Sequence, residues 1–145
     1  MLQKINLNYI LAANVALLLF LCFMSVWRPI HFNNVRTERE AEVRERIEVI
    51  KKAEDAYLQA HGTYTADFKA LIKGGYLKEG EQYIPYADNK PFELQVAAQV
   101  DKQGRKRDAI MCGAKYEQYL NGLNEASIDQ LTNQAEEMGQ YPGVR

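Results

Sequence analysis

Residues 9–27 read YILAANVALLLFLCFMSVW and contain no charge. At ~1.5 Å of rise per residue this run would be about 28 Å long as a helix, close to the ~30 Å hydrocarbon core of a bilayer. Tyr9 and Trp27 stand at its ends, where aromatic rings favour the lipid–water interface, and Arg28-Pro29 stops the run. The pattern predicts a stub and transmembrane anchor over residues 1–29, with Tyr9, Trp27 and Arg28 as interface anchors. A cleaved signal peptide would have a shorter apolar core and a small-x-small site after it. Here Ser25-Val26-Trp27-Arg28-Pro29 closes the run, so the anchor is expected to stay on the chain. Inside it, Asn14, Leu18, Leu21 and Ser25 share one helical face, and Ala12 and Ala16 form a small-xxx-small pair beside it. Ala12, Asn14, Ala16 and Ser25 are therefore the expected packing residues against a second membrane helix. The competing reading places Asn14 near the interface and lets Ser25 bond its own backbone.

After the run the polarity inverts. Residues 30–36 read as a juxtamembrane link, with Pro29 expected to break the helix at the membrane surface. Thr37 and Glu40 match a capping box for a new helix. Its apolar positions are Val43, Ile47, Ile50 and Tyr57, with Ala53 and Ala60 beside them, at the spacing of one helical face. The other face is Glu, Arg and Lys, with Glu40/Arg44, Glu42/Arg46 and Glu48/Lys52 as expected i,i+4 pairs. The charge run reads as a solvated face. Gly62 is placed to end the helix, and Thr65 to cap a short one over residues 66–73, closed by Gly74-Gly75.

Residues 92–96 alternate apolar and polar, as a half-buried strand does, and the strand is expected to reach Val100. Asp101-Lys102-Gln103-Gly104 is a turn, and residues 108–114 read as the returning strand of an antiparallel hairpin. Ser127 and Gln130 form a second capping-box pattern before an amphipathic helix through Ile128, Leu131 and Ala135 to about Met138. The predicted class is α+β: an anchor helix, then a domain over residues 37–145 with a long helix on a small antiparallel sheet.

Composition narrows the function. The net charge of -1 lacks the clustered basic excess of a nucleic-acid binder. Neither His31 nor His61 has a second ligand at metal spacing; His31 reads as interfacial and His61 as a turn residue. Cys112 reads as a small buried hydrophobe in a strand, and no disulfide to Cys22 is expected across so different an environment. No phosphate loop or nucleophile elbow is present. Tyr57, Tyr64, Tyr76, Tyr83, Tyr86, Tyr116 and Tyr119 read as a cover for a small core with wet hydroxyls, a shared binding surface being the alternative. No enzyme chemistry, cofactor or metal is expected.

The stretch Ala53-Glu54-Asp55-Ala56-Tyr57-Leu58-Gln59-Ala60-His61-Gly62-Thr63-Tyr64, continued through Phe68 and Leu71 to Gly75-Tyr76-Leu77, resembles the pilin-like family, the type IV pilins and type II secretion pseudopilins. The likeness covers about the first half of the chain. It implies a hydrophobic N-terminal helix, a Gly-x-Tyr bend, a short helix and an antiparallel sheet packed on the long helix. The start, Met1-Leu2-Gln3-Lys4-Ile5-Asn6-Leu7, departs from the family pattern: no Gly precedes the apolar run and no Glu lies within it. The segments Tyr119-Leu120-Asn121-Gly122-Leu123 and Gln140-Tyr141-Pro142-Gly143 also resemble small single-pass proteins of Bacteroidetes-type bacteria that accompany TonB–ExbB–ExbD-type motors.

These resemblances imply a non-catalytic single-pass subunit of a bacterial inner-membrane complex, with the bilayer, a larger integral membrane protein (ExbB/ExbD-like or a secretion-system subunit) and periplasmic proteins as partners. A motor accessory is the first reading and a pseudopilin-like component the second. A membrane-anchored periplasmic binding module is a third. Counting Lys4 against Arg28, Arg36, Arg39, Arg44 and Arg46 places the C-terminal domain in the cytoplasm by the positive-inside rule, but large domains translocate largely regardless of charge. The pilin resemblance implies the periplasm.

Overall fold

A computed structural model describes residues 7–100, 102–104 and 106–145. The start of the chain, including Lys4, and Asp101 of the hairpin turn lie outside the described residues. The fold is α+β, with a long N-terminal helix and a three-stranded antiparallel sheet. The described residues form two compact units, one up to Val35 and one from Arg36 onwards.

α1 runs over Leu7–His61 with Pro29 inside it, so the expected break and link at residues 30–36 are corrected: both are helix. A proline costs a helix one N–H and one carbonyl partner. Here the carbonyl without its donor belongs to Ser25. Thr37 consequently lies in mid-helix and caps no start, and Glu40 is bound from Arg36 at 2.6 Å rather than paired with Arg44. Glu42 takes the Tyr86 hydroxyl at 2.7 Å.

In the second unit Val43, Ile47, Ile50 and Ala53 of α1 are buried, as their spacing predicts, while Ala60 is exposed and Tyr57 half-buried. The helix ends where Gly62 takes a left-handed φ of 80° and its N–H reaches the Leu58 carbonyl at 2.7 Å, a closure glycine favours because it lacks Cβ. α2, Phe68–Lys73, is capped by Asp67, whose side chain accepts from the Lys69 amide at 2.9 Å. The expected cap, Thr65, is engaged elsewhere through its own amide. Leu71 of α2 and Leu77 beyond it are buried.

β1, Glu93–Val100, and β2, Lys106–Lys115, form the expected hairpin, from Glu93 opposite Gly113 to Val100 opposite Lys106. A short helix not anticipated from sequence, α3 at Tyr116–Tyr119, follows β2 directly. α4 is Glu125–Glu137. Its cap is Asn124, which accepts the Ser127 amide at 3.1 Å, so Ser127 lies in the first turn instead of capping it. The chain closes on β3, Gly143–Val144, opposite Lys115 and Ala114 of β2. Gly143 is required there because a Cβ would overlap the Ala114 carbonyl oxygen. The core gathers Val43, Ile47, Ile50, Leu71, Phe92, Cys112, Tyr119, Leu120, Ile128 and Val144, each large aliphatic contributing roughly 1.5–3 kcal/mol by leaving water.

Ile50 is fully buried in mid-stripe. Ile50→Ala is expected to destabilise the protein by about 2–5 kcal/mol, read by thermal unfolding of the full chain in detergent. An unchanged midpoint would show that α1 does not carry this core.

Candidate functional site

The residues expected to serve as an anchor all lie on the exposed first part of α1. Among described residues α1 is the one helix long and apolar enough to cross a membrane, with mean hydropathy 2.3 over its best window and none of that window buried. Ala12, Asn14, Ala16, Ser25, Tyr9, Trp27 and Arg28 are exposed, and the rings of Phe23 and Trp27 stack at 5.9 Å. In water such a surface would be unstable; the solvent it suits is lipid or another apolar helix.

A second constellation was not anticipated as a unit. Positions 36, 39, 40, 43, 47, 50, 54 and 57 form one stripe on α1 by helical spacing. Its middle is apolar and its ends are charged. At the N-terminal end Arg39 donates to the carbonyls of Tyr119 at 3.0 Å and Asn121 at 2.9 Å, and its guanidinium lies 4.4 Å from the Tyr86 ring centre. The orphan carbonyls at the end of α3 thus find a cationic donor. Arg36 sits over Tyr116 at 5.4 Å. Burial works against the Arg36 charge, but the hydrogen bond and charge of Glu40 outweigh it and raise its pKa above the ordinary value. Burial, with the Glu40 charge behind it, pushes the Tyr119 hydroxyl far above its usual range. That hydroxyl donates to Glu40 at 3.3 Å.

The groups around the N-terminal end of the stripe, a collar of charged and aromatic side chains, also grip the loop over residues 79–91. Tyr86, Asp88 and Asn89 adopt left-handed φ values of 65°, 47° and 60°, a conformation that costs a non-glycine residue on the order of 1 kcal/mol. Fixed partners hold it there: Tyr86 bonds Glu42, and the Asn121 amide donates to Asp88 at 3.2 Å. Tyr83 and Tyr86 remain 38% and 48% exposed, so the tyrosines divide. Tyr119 is core and Tyr57, Tyr64, Tyr76 and Tyr116 are half-buried.

At the other end of the stripe Glu54 is fully buried. Its carboxylate accepts the amides of Thr65 at 3.0 Å and Ala66 at 2.9 Å. Beside it Tyr57 stacks on His61 at 4.1 Å and meets Tyr76 edge-on at 5.6 Å, which gives His61 a packing role. Cys112 is 1% exposed, and burial pushes its thiol up to about 12. The cavity next to it, bounded by Tyr141 and Arg145, holds about 20 Å³, room for one water. Among the described residues no three His, Cys, Asp or Glu side chains gather as a metal site.

The charged and aromatic groups of the collar thus bind each other and the backbone. Their arrangement can fasten segments together. No protein-family model, curated protein or solved structure matches this chain.

Two outcomes follow from this geometry. Glu54→Ala strands two part-buried amides and is expected to cost about 2–3 kcal/mol; Glu54→Gln, which keeps one acceptor oxygen, should cost less. Equal unfolding midpoints for wild type and Glu54→Ala would remove the carboxylate from the account. In a Cys22→Ser background, Cys112 should be alkylated at pH 8 roughly a thousandfold more slowly in the native than in the unfolded protein, because only the thiolate reacts and its population falls tenfold per unit of raised pKa. The native rate should climb as the pH rises towards 12. Native labelling at the unfolded rate would refute the burial.

Proposed function

We propose that the protein is a non-catalytic, single-pass inner-membrane subunit of a bacterial envelope complex, its C-terminal domain in the periplasm. The observation that carries this reading is the exposed, uncharged first part of α1, followed in the same chain by a domain with its own core. Asn14, Ala12, Ala16 and Ser25 would dock on a larger membrane protein, and the outer domain would meet periplasmic partners. A proton-carrying motor subunit needs an intramembrane ionisable side chain such as Asp, Glu or His, and residues 9–27 contain none of these. In a TonB–ExbB–ExbD-type motor the protein would therefore hold or position other subunits.

The pseudopilin-like reading gains from one feature, the continuity of α1 through Pro29. The sequence pattern argued for a break at Pro29, whereas the long helix of a pilin normally continues through that point. That continuity supports keeping a pilin-like component as the second reading beside the motor accessory.

Purification in mild detergent should recover defined membrane partners, and their identity separates the two assemblies. Asn14→Leu should weaken co-purification by about one hydrogen bond, ~1–2 kcal/mol, or about tenfold, and leave the domain folded. Recovery of the protein alone, with a bound small molecule, would favour the binding module instead. An alkaline-phosphatase fusion after Arg145 should be active; an inactive fusion beside an active cytoplasmic reporter would reverse the topology.

A further inference from the structure

Asn121 belongs to two fastenings at once. Its backbone carbonyl accepts from Arg39 at 2.9 Å, and its side-chain amide donates to Asp88 at 3.2 Å. A carboxylate only accepts, so the amide nitrogen is the atom that faces Asp88. Among the described residues no other group donates to that carboxylate. Asp88 sits in the loop over residues 79–91 at a left-handed φ of 47°, and the bond to Asn121 holds it there. The residue after Asn121 is glycine, and no other asparagine in the chain precedes one. Without a Cβ, a glycine leaves its amide nitrogen unshielded and lets the backbone turn freely. Gly122 has a φ of 81°, with nothing within 4 Å of the place a Cβ would take. Both residues are exposed, and among the described residues no group accepts the Gly122 amide hydrogen.

We propose that Asn121 is a site of spontaneous deamidation, and that the reaction unfastens the loop over residues 79–91. The Gly122 nitrogen, having given its proton to solvent base, attacks the side-chain carbonyl carbon of Asn121. The new C–N bond closes a cyclic imide as the bond to Nδ2 breaks, and ammonia leaves with a proton from water. Water then opens the imide at one carbonyl or the other, which gives aspartate or isoaspartate at position 121. Both products lose the NH2 group that faces Asp88. In aspartate a second carboxylate stands against the first, and like charges repel. In isoaspartate the chain is rerouted through the side-chain carbon, and the carbonyl that Arg39 held becomes the free carboxylate. Arg39 can draw either new carboxylate to itself, which also takes it away from Asp88. Asp88 is then left without its donor in a backbone conformation that a β-carbon disfavours. This inference does not depend on which assembly the protein joins, and its failure would leave the proposed membrane role untouched.

The test is prolonged incubation of the full chain in detergent at mildly alkaline pH, where an amide nitrogen loses its proton more readily. Peptide mass mapping should show Asn121 converting ahead of every other asparagine, with isoaspartate among the products. Hydrogen exchange then reads the loop, where the Ile84 and Lys90 amides donate to the Lys90 and Ala87 carbonyls at 2.8 and 2.9 Å. In the converted protein, and in Asn121→Asp made directly, these amides should exchange roughly three- to tenfold faster, the scale of one lost hydrogen bond. Asp88→Asn in the Asn121→Asp background swaps donor and acceptor and should restore the wild-type rate, since asparagine tolerates a left-handed φ. An Asn121 that stays intact in the folded protein while it converts in urea would overturn the proposal. So would a converted protein or an Asn121→Asp variant whose loop exchanges at the wild-type rate, or faster exchange that Asp88→Asn does not reverse.

Discussion

Glu54 accepts two amide hydrogens from the segment that reverses the chain after α1, and the placement of α2 depends on that grip. Ala66 has a left-handed φ of 50°, which a β-carbon disfavours. The carboxylate compensates by satisfying its amide and that of Thr65 at once. Charge-assisted bonds of this kind contribute about 1.5–3 kcal/mol each, more than the strain. With the reversal fixed, Asp67 can cap α2 and Leu71 and Leu77 can enter the core. An ionised group buried without partners would be far too costly; Glu54 is buried because the reversing loop supplies its donors.

The same logic operates at the opposite end of the stripe. Arg39 fastens α3 by its last carbonyls, Arg36 and Glu40 surround the hydroxyl and ring of the neighbouring tyrosines, and Glu42 holds Tyr86. The apolar middle, Val43, Ile47 and Ile50, contributes most of the burial but says little about where irregular chain must go, since apolar contact is non-directional. Direction comes from the charged ends. One helix face thus divides the work: dispersion and water release in the centre, hydrogen bonds to specific backbone groups at each end. This is how a domain with a small sheet can order two irregular loops.

The apolar parts of this plan were legible in the sequence and the polar parts were not. Period alone located the Val43-to-Ala53 face and the hairpin, because side-chain burial repeats at 3.6 or 2 residues. The hairpin's ladder then extended two residues earlier on β2 than the alternation showed. Glu54 carried a signal that the reading passed over: it lies seven residues after Ile47 and four after Ile50, on the apolar phase, and a charge there needs a partner. Arg36 and Glu40 lie on the same phase before Val43. The caps failed for a related reason. Thr37, Thr65 and Ser127 have the right chemistry, but the caps that formed were Asp67 and Asn124, and residues of this type are interchangeable until the register of the following helix is known. β3 could not be foreseen, since two residues form no periodic pattern and its requirement for Gly143 arises from close approach to β2.

Pro29 shows the limit of a local rule most clearly. Proline was expected to end the helix because it removes one hydrogen bond and crowds the preceding turn, yet α1 passes through it. The cost depends on where the orphaned carbonyl lies. That group belongs to Ser25, two residues before Trp27 and three before Arg28, at the end of the uncharged run, where in the proposed membrane role the aromatic and cationic side chains would mark the water boundary. In mid-bilayer an unsatisfied carbonyl would cost several kcal/mol. At the boundary water, or the Ser25 hydroxyl, can serve it, and the remaining cost is steric and local. The proline-bearing turn is also exposed on every side, so the turn can adjust without disturbing packed neighbours. The position of Pro29, just past the uncharged run, is therefore one where a proline and an unbroken helix are compatible.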